Sequence, residues 1–169
     1  MKFFNSCTNL KSITFGKGIL DIDHTGCSND IDEFIVEEGN TKYHSINNCI
    51  IETNEKSLIL GCKNSVIPSD GSVISIDHYA FEGCPNLVNI VIPDGILNIQ
   101  DYAFNGCDSL QSITIGKDVE SIGEDSFTGC AKELEYISVS ADNNIYQSPG
   151  NCLINTETKI LILGCKNSV

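Results

Sequence analysis

From Cys84 the chain reads CPNLVNIVIPDGILNIQDYAFNG, and its apolar positions fall at fixed places: Leu87, Ile90, Ile92, Ile96, Ile99 and Phe104. The next stretch repeats the order with Leu110, Ile113, Ile115, Val119, Ile122 and Phe127, each 23 residues further on. The unit is C-x-x-L-x-x-I-x-I-[PG]-x-x-[IV]-x-x-I-x-x-x-[AS]-F-x-G. Within it, I-x-I has the period of a strand with one buried face, so Leu87, Ile90 and Ile92 point inward and Asn89 and Val91 lie on the open side. Proline or glycine then ends the strand, because proline lacks the amide a ladder needs and glycine accommodates a turn. The I-x-x-I segment returns the chain on the opposite side. The Ala-Phe segment forms a short turn or helical piece whose ring plugs the core.

A unit of this kind has an apolar side that only a neighbouring copy can cover, so the units are expected to stack with in-register strands about 4.8 Å apart. Units start near residues 7, 27, 84, 107 and 130. The first is shortened and lacks Ala-Phe. Residues 27–66 match residues 130–169 at a constant offset of 103, both ending in LILGCKNSV. The long unit carries an insertion, predicted as a β-hairpin from two short apolar runs around four polar residues (Cys49–Glu52 and Ser57–Leu60). Insertions are therefore placed near 43–66 and 146–169. The expected fold is a mainly β repeat solenoid, curved or right-handed, spanning residues 1–169 as one domain. The abrupt stop after the second GCKNSV suggests a piece of a longer protein.

Composition narrows the chemistry. The chain has 169 residues, 10 Lys and Arg against 23 Asp and Glu, and a net charge of -13. Nucleic acid and anionic membranes are disfavoured as partners, since the basic residues are scattered singly. No apolar run approaches the roughly 20 residues of a membrane-spanning helix, and the N-terminus has no apolar stretch of signal-peptide length. The nine cysteines are an odd number, so complete internal pairing is impossible. No C-x-x-C occurs, which removes the strong signals for zinc or a redox dithiol, and no cofactor or metal is expected.

Cys7, Cys27, Cys84, Cys107 and Cys130 share one repeat position and read as a column of small buried bricks. Parallel side-chain vectors suit packing better than a disulfide torsion. Cys49 with Cys62, and Cys152 with Cys165, flank the inserts at a spacing of 13; packing is favoured there, with a hairpin disulfide as the alternative. His24, His44 and His78 occupy unrelated repeat positions beside no nucleophile motif, so no catalytic residue is assigned. Asp30, Asp32, Glu33, Glu37 and Glu38 lack the calcium-loop pattern and read as a solvated acidic face.

The binding candidates are the outward strand positions: Ser12 and Thr14, Glu33 and Ile35, Asn89 and Val91, Ser112 and Thr114, Tyr136 and Ser138. Ile35, Val91 and Tyr136 are the strongest, because apolar groups and tyrosine anchor interfaces more often than Ser or Thr.

The motif with its cysteine, proline and Ala-Phe, best seen in CPNLVNIVIPDGILNIQDYAF, resembles the BspA-like leucine-rich repeats over nearly the whole chain. The resemblance implies a leucine-rich-repeat solenoid. It also implies a non-enzymatic adhesion or recognition module of a bacterial cell-surface or secreted protein, with a host, matrix or other surface protein as partner. The alternative is a structural spacer with no ligand. Exposed apolar ends would further allow end-to-end self-association.

Overall fold

The computed structural model describes Cys7, residues 9–23 and residues 30–168. The 23-residue period becomes two parallel ladders on opposite sides of one core. On one side, β1 (Ser12–Phe15) pairs with β2 (Glu33–Val36). A separate three-stranded parallel sheet is formed by β7 (Asn89–Ile92), β9 (Ser112–Ile115) and β11 (Tyr136–Val139). The I-x-x-I returns form the opposite ladder from β6 (Ser75–Ile76), β8 (Asn98–Ile99) and β10 (Ser121–Ile122). This is the solenoid that the spacing predicts, with the inward residues where the pattern puts them: Leu87, Ile90 and Ile92 are 1%, 3% and 0% exposed.

Stacking of like on like holds the units. The rings of Phe81 and Phe104 lie 4.9 Å apart at 14°, and those of Phe104 and Phe127 lie 5.2 Å apart at 1°. Each such pair contributes about 0.5–1.5 kcal/mol beyond its buried area. Gly106 (φ +71°) makes the left-handed turn before the cysteine, and a Cβ on Gly129 above it would lie only 3.1 Å from the Gly106 Cα. Glycine is thus required both for the turn and for the close approach of successive turns.

Cys130 to Leu134 has one residue more than the corresponding Cys107 to Leu110. A 3-10 turn at Cys130–Lys132 absorbs it, so Tyr136 still pairs with Ser112 and the ladder keeps its register.

The expected hairpin forms from Cys49–Glu52 and Ser57–Leu60, and each insert carries one strand more. Each is a three-stranded antiparallel meander: β3 (Tyr43–Ile46), β4 (Cys49–Glu52) and β5 (Ser57–Leu60) in the first, β12 (Tyr146–Gln147), β13 (Cys152–Asn155) and β14 (Leu161–Gly164) in the second. The added strand is held by an asparagine clasp. Asn40 Nδ2 donates to the carbonyls of Gly16 and Ile19, while its Oδ1 accepts the amides of Lys42 and Tyr43. Asn143 repeats all four bonds with Gly116, Val119, Ile145 and Tyr146.

A serine then ends each outer sheet. Ser45 Oγ accepts the Val36 amide at 3.0 Å, and Ser148 Oγ accepts the Val139 amide at 3.0 Å. This takes a donor on the edge where a further parallel strand would pair. β2 and β7 belong to different sheets, so the outward strand positions read from the sequence fall on two separate faces.

The first insert lies between two apolar clusters. Cys49, Ile51 and Leu58 belong to the main core with Ile67, Val73, Ile76 and Phe81. Ile50, Ile59 and Leu60 belong to a smaller core with Ile22, Ile31 and Phe34. β5 continues into the opposite ladder by parallel pairing with β6. Among the described residues, no helix is long and apolar enough to cross a membrane.

Candidate functional site

The larger outward face is built by β7, β9 and β11. Because side chains alternate, each strand places its first and third residues on the solvent side. Register then aligns them in two rows: Asn89, Ser112 and Tyr136, and beside it Val91, Thr114 and Ser138. Three strands at ~4.8 Å spacing give a patch about 9.6 Å across between the outer strand axes. Val91 and Tyr136 are 57% and 55% exposed and stand at diagonally opposite corners. Asn89 is exposed, while Ser112, Thr114 and Ser138 are half-buried. Ser112 Oγ donates to Asn89 Oδ1 at 2.6 Å, which fixes the amide and leaves its nitrogen side for other contacts. Val88, absent from the sequence candidates because it precedes the strand, adds an exposed apolar group beside the patch.

The remaining candidates form the separate face on β1 and β2, where Ser12 aligns with Glu33 and Thr14 with Ile35. Ser12, Thr14 and Glu33 are exposed. Ile35 is half-buried, so it does not stand as the open apolar anchor that its register position suggested.

The cysteine column is real over three turns, where Cys84, Cys107 and Cys130 are 1%, 0% and 0% exposed. Cys7 departs from it and is exposed, and Cys27 lies outside the described residues. The eight described cysteines are all free thiols, including both insert pairs. Burial pushes the Cys49 thiol up to about 12 and also raises that of Cys62. These thiols are therefore poor nucleophiles.

Within the acidic stretch, Glu33, Glu37 and Glu38 are exposed, while Asp30 and Asp32 form ion pairs. Asp30 accepts the ammonium groups of Lys11 and Lys63, and Lys63 also reaches Asp32 at 2.7 Å. His44 Nδ1 meets Thr53 Oγ1 at 2.9 Å. His78 lies 3.1 Å from Asp77 and 3.7 Å from Asp101 on an open corner, 45% exposed, next to the stacked rings of Tyr79 and Tyr102. His24 lies outside the described residues. An open depression lined by Lys117, Asp118, Glu120 and Asn143 offers little free chemistry, since the Asn143 amide is engaged by four backbone groups. Among the described residues, no group of three His, Cys, Asp or Glu is arranged to hold a metal ion.

Residues 59–168 match, in six copies, the family model described as the BspA type leucine-rich repeat region. Among solved structures, a leucine-rich repeat protein from Eubacterium ventriosum is similar at 25% identity and a TM-score of 0.64, over 78% of this chain and 36% of that one. The pneumococcal vaccine antigen PcpA is similar at 17% identity and a TM-score of 0.54, over 85% of this chain and 42% of that one, a likeness of fold alone. The chain thus spans well under half the length of either solved protein. No curated protein matches it.

Proposed function

The chain belongs to the BspA-type leucine-rich repeat family, and on that premise we propose that it is a recognition module of a bacterial cell-surface or secreted protein, binding a protein partner through the β7–β9–β11 face. The observation that carries this reading is the composition of that face. Small polar residues (Asn89, Ser112, Thr114, Ser138) make a low floor, and Val91 and Tyr136, each more than half exposed, rise at opposite corners. Nothing in the core requires those two side chains to be apolar or aromatic, since Ile90, Ile92 and Ile137 do the packing from the other face. Tyrosine is among the residues that most often carry the binding energy of a protein interface, and Val91 adds exposed apolar area on the same face. The net charge of -13 favours a partner with a neutral or basic surface. The fold supplies rigid positions for contact and presents no enclosed polar centre at this face, which fits recognition rather than catalysis.

The test is binding of the purified chain to immobilised fibronectin, laminin and collagen, with Val91→Ser/Tyr136→Ser as the comparison. Saturable binding to one of them, weakened at least about tenfold in the double variant, supports the reading. Binding unchanged by the double variant, or none to any of the three, favours a spacer array and overturns it.

A further inference from the structure

The constant offset of 103 gives each residue of the second insert a counterpart in the first, so one insert serves as the control for the other. On one face of the meander the two agree: Ile50 and Leu60 are buried, as are their counterparts Leu153 and Leu163. On the other face they do not. Cys49, Ile51 and Leu58 are each 0% exposed, whereas Cys152 and Ile154 are partly exposed and Leu161 is 59% exposed. Ile160, which replaces Ser57, is also 59% exposed and enlarges the apolar area.

What covers this face in the first insert is explicit. β6 pairs in parallel with β5, Ser57 opposite Ser75 and Leu58 opposite Ile76. The Ile74 amide donates to the Lys56 carbonyl and the Asp77 amide to the Leu58 carbonyl, both at 2.9 Å. Lys56 Nζ reaches the Gly71 carbonyl at 3.0 Å. Val73, Ile76, Ala80 and Phe81 complete the apolar cover.

Gly61 supplies an independent sign of the same occupant. Its φ lies outside the left-handed region, so its backbone does not demand glycine; a Cβ there would lie 2.1 Å from the Phe81 ring. The glycine makes room for that ring. Gly164 is its counterpart, also outside the left-handed region, and a Cβ there would meet only Ser168, no closer than 3.4 Å. An empty place is kept where the first insert seats a phenylalanine.

We propose that the face formed by Cys152, Ile154, Leu161 and Gly164 is a docking site for a repeat unit of the kind formed by residues 67–84. The occupant adds a short strand parallel to β14, sets aliphatic residues three apart over Leu161, and places the phenylalanine of an Ala-Phe pair on Gly164. Lys159, the counterpart of Lys56, lies two residues before β14, where it can reach a carbonyl of the same unit. This is independent of ligand recognition at the β7–β9–β11 face.

The experiment uses maleimide labelling of single cysteines, read by peptide mass spectrometry, on the full chain and on the full chain with residues 67–129 repeated directly after Val169. In the unextended chain, Cys152 labels at least about tenfold faster than Cys49. In the extended chain it slows to the rate of Cys49. Gly164→Ala leaves the Tm of the unextended chain unchanged but restores rapid Cys152 labelling in the extended one. Unchanged Cys152 labelling on extension, or indifference of the extended chain to Gly164→Ala, overturns the proposal. So does concentration-dependent protection of Cys152 in the unextended chain, which would make the occupant a second copy.

Discussion

Cys107 Sγ donates to the carbonyl of Phe81 at 3.1 Å, and one turn later Cys130 Sγ donates to the carbonyl of Phe104 at the same distance. This explains why a repeating apolar core carries cysteine at its head. The side chain is small enough to stack in register, and its weak S–H donor satisfies a carbonyl of the preceding turn. The neighbouring Cys130 thiol, and then burial, hold Cys107 protonated far above the ordinary thiol range. The column is therefore a set of donors rather than a reactive site.

Replacing Cys107 with alanine removes both volume and donor, so we expect a loss of about 1–2 kcal/mol by denaturant unfolding. Cys107→Ser restores a donor and loses less. A serine variant less stable than the alanine variant would refute the donor role.

The inward and outward positions of one strand should separate cleanly. Ile113 is fully buried between the stacked turns, and Ile113→Ala is expected to cost about 2–5 kcal/mol. Val91→Ser, on the open face of the adjacent strand, should stay within about 0.5 kcal/mol of the parent. Similar shifts in the two urea midpoints would overturn the assignment of faces.

The period of 23 was legible because stacking makes each unit bury the same positions, which leaves an apolar rhythm that one sequence displays. The inserts were harder to read. β3 contributes YHSI, in which only Tyr43 and Ile46 are apolar, and what sets it in place is Asn40, whose four partners lie on either side of it along the chain. Asparagine in a loop carries no periodic signal; only its recurrence at Asn143 could have marked it. The split of the candidate face falls between β2 and β7, where the first insert enters the chain and Ser45 takes the Val36 amide on the β2 edge. For that reason Asn89, Val91, Ser112, Thr114, Tyr136 and Ser138 come together as a patch, while Ser12, Thr14, Glu33 and Ile35 stand apart.

The asparagine clasp should be costly to remove. Asn143 is 5% exposed and satisfies two carbonyls and two amides, so Asn143→Ala strands several buried backbone groups and should cost about 2–4 kcal/mol. Asn143→Asp retains the acceptor but loses the donor, and should also destabilise. Both effects are read in thermal unfolding, and parity of either variant with the parent would count against the clasp.

Acid sensitivity should concentrate at Asp30. The carboxylate joins three parts of the chain, receiving Lys11 from the first unit, Lys63 from the first insert and Asn86 from the unit after it. The Lys11 ammonium first, then Lys63 and the Asn86 amide, hold its pKa well below the usual carboxylate range. Its pKa in the unfolded chain is near the ordinary value of about 3.9, so below that pH the unfolded state takes up the proton more readily. The contribution is therefore complete above about pH 4 and fades as the pH falls further. Because the pair is solvent-accessible, high salt should also weaken it. Asp30→Asn should lower the Tm at pH 7 in low salt and narrow its gap to the parent at pH 3. A gap between parent and variant that stays constant from pH 7 to pH 3 would mean that Asp30 acts by shape alone.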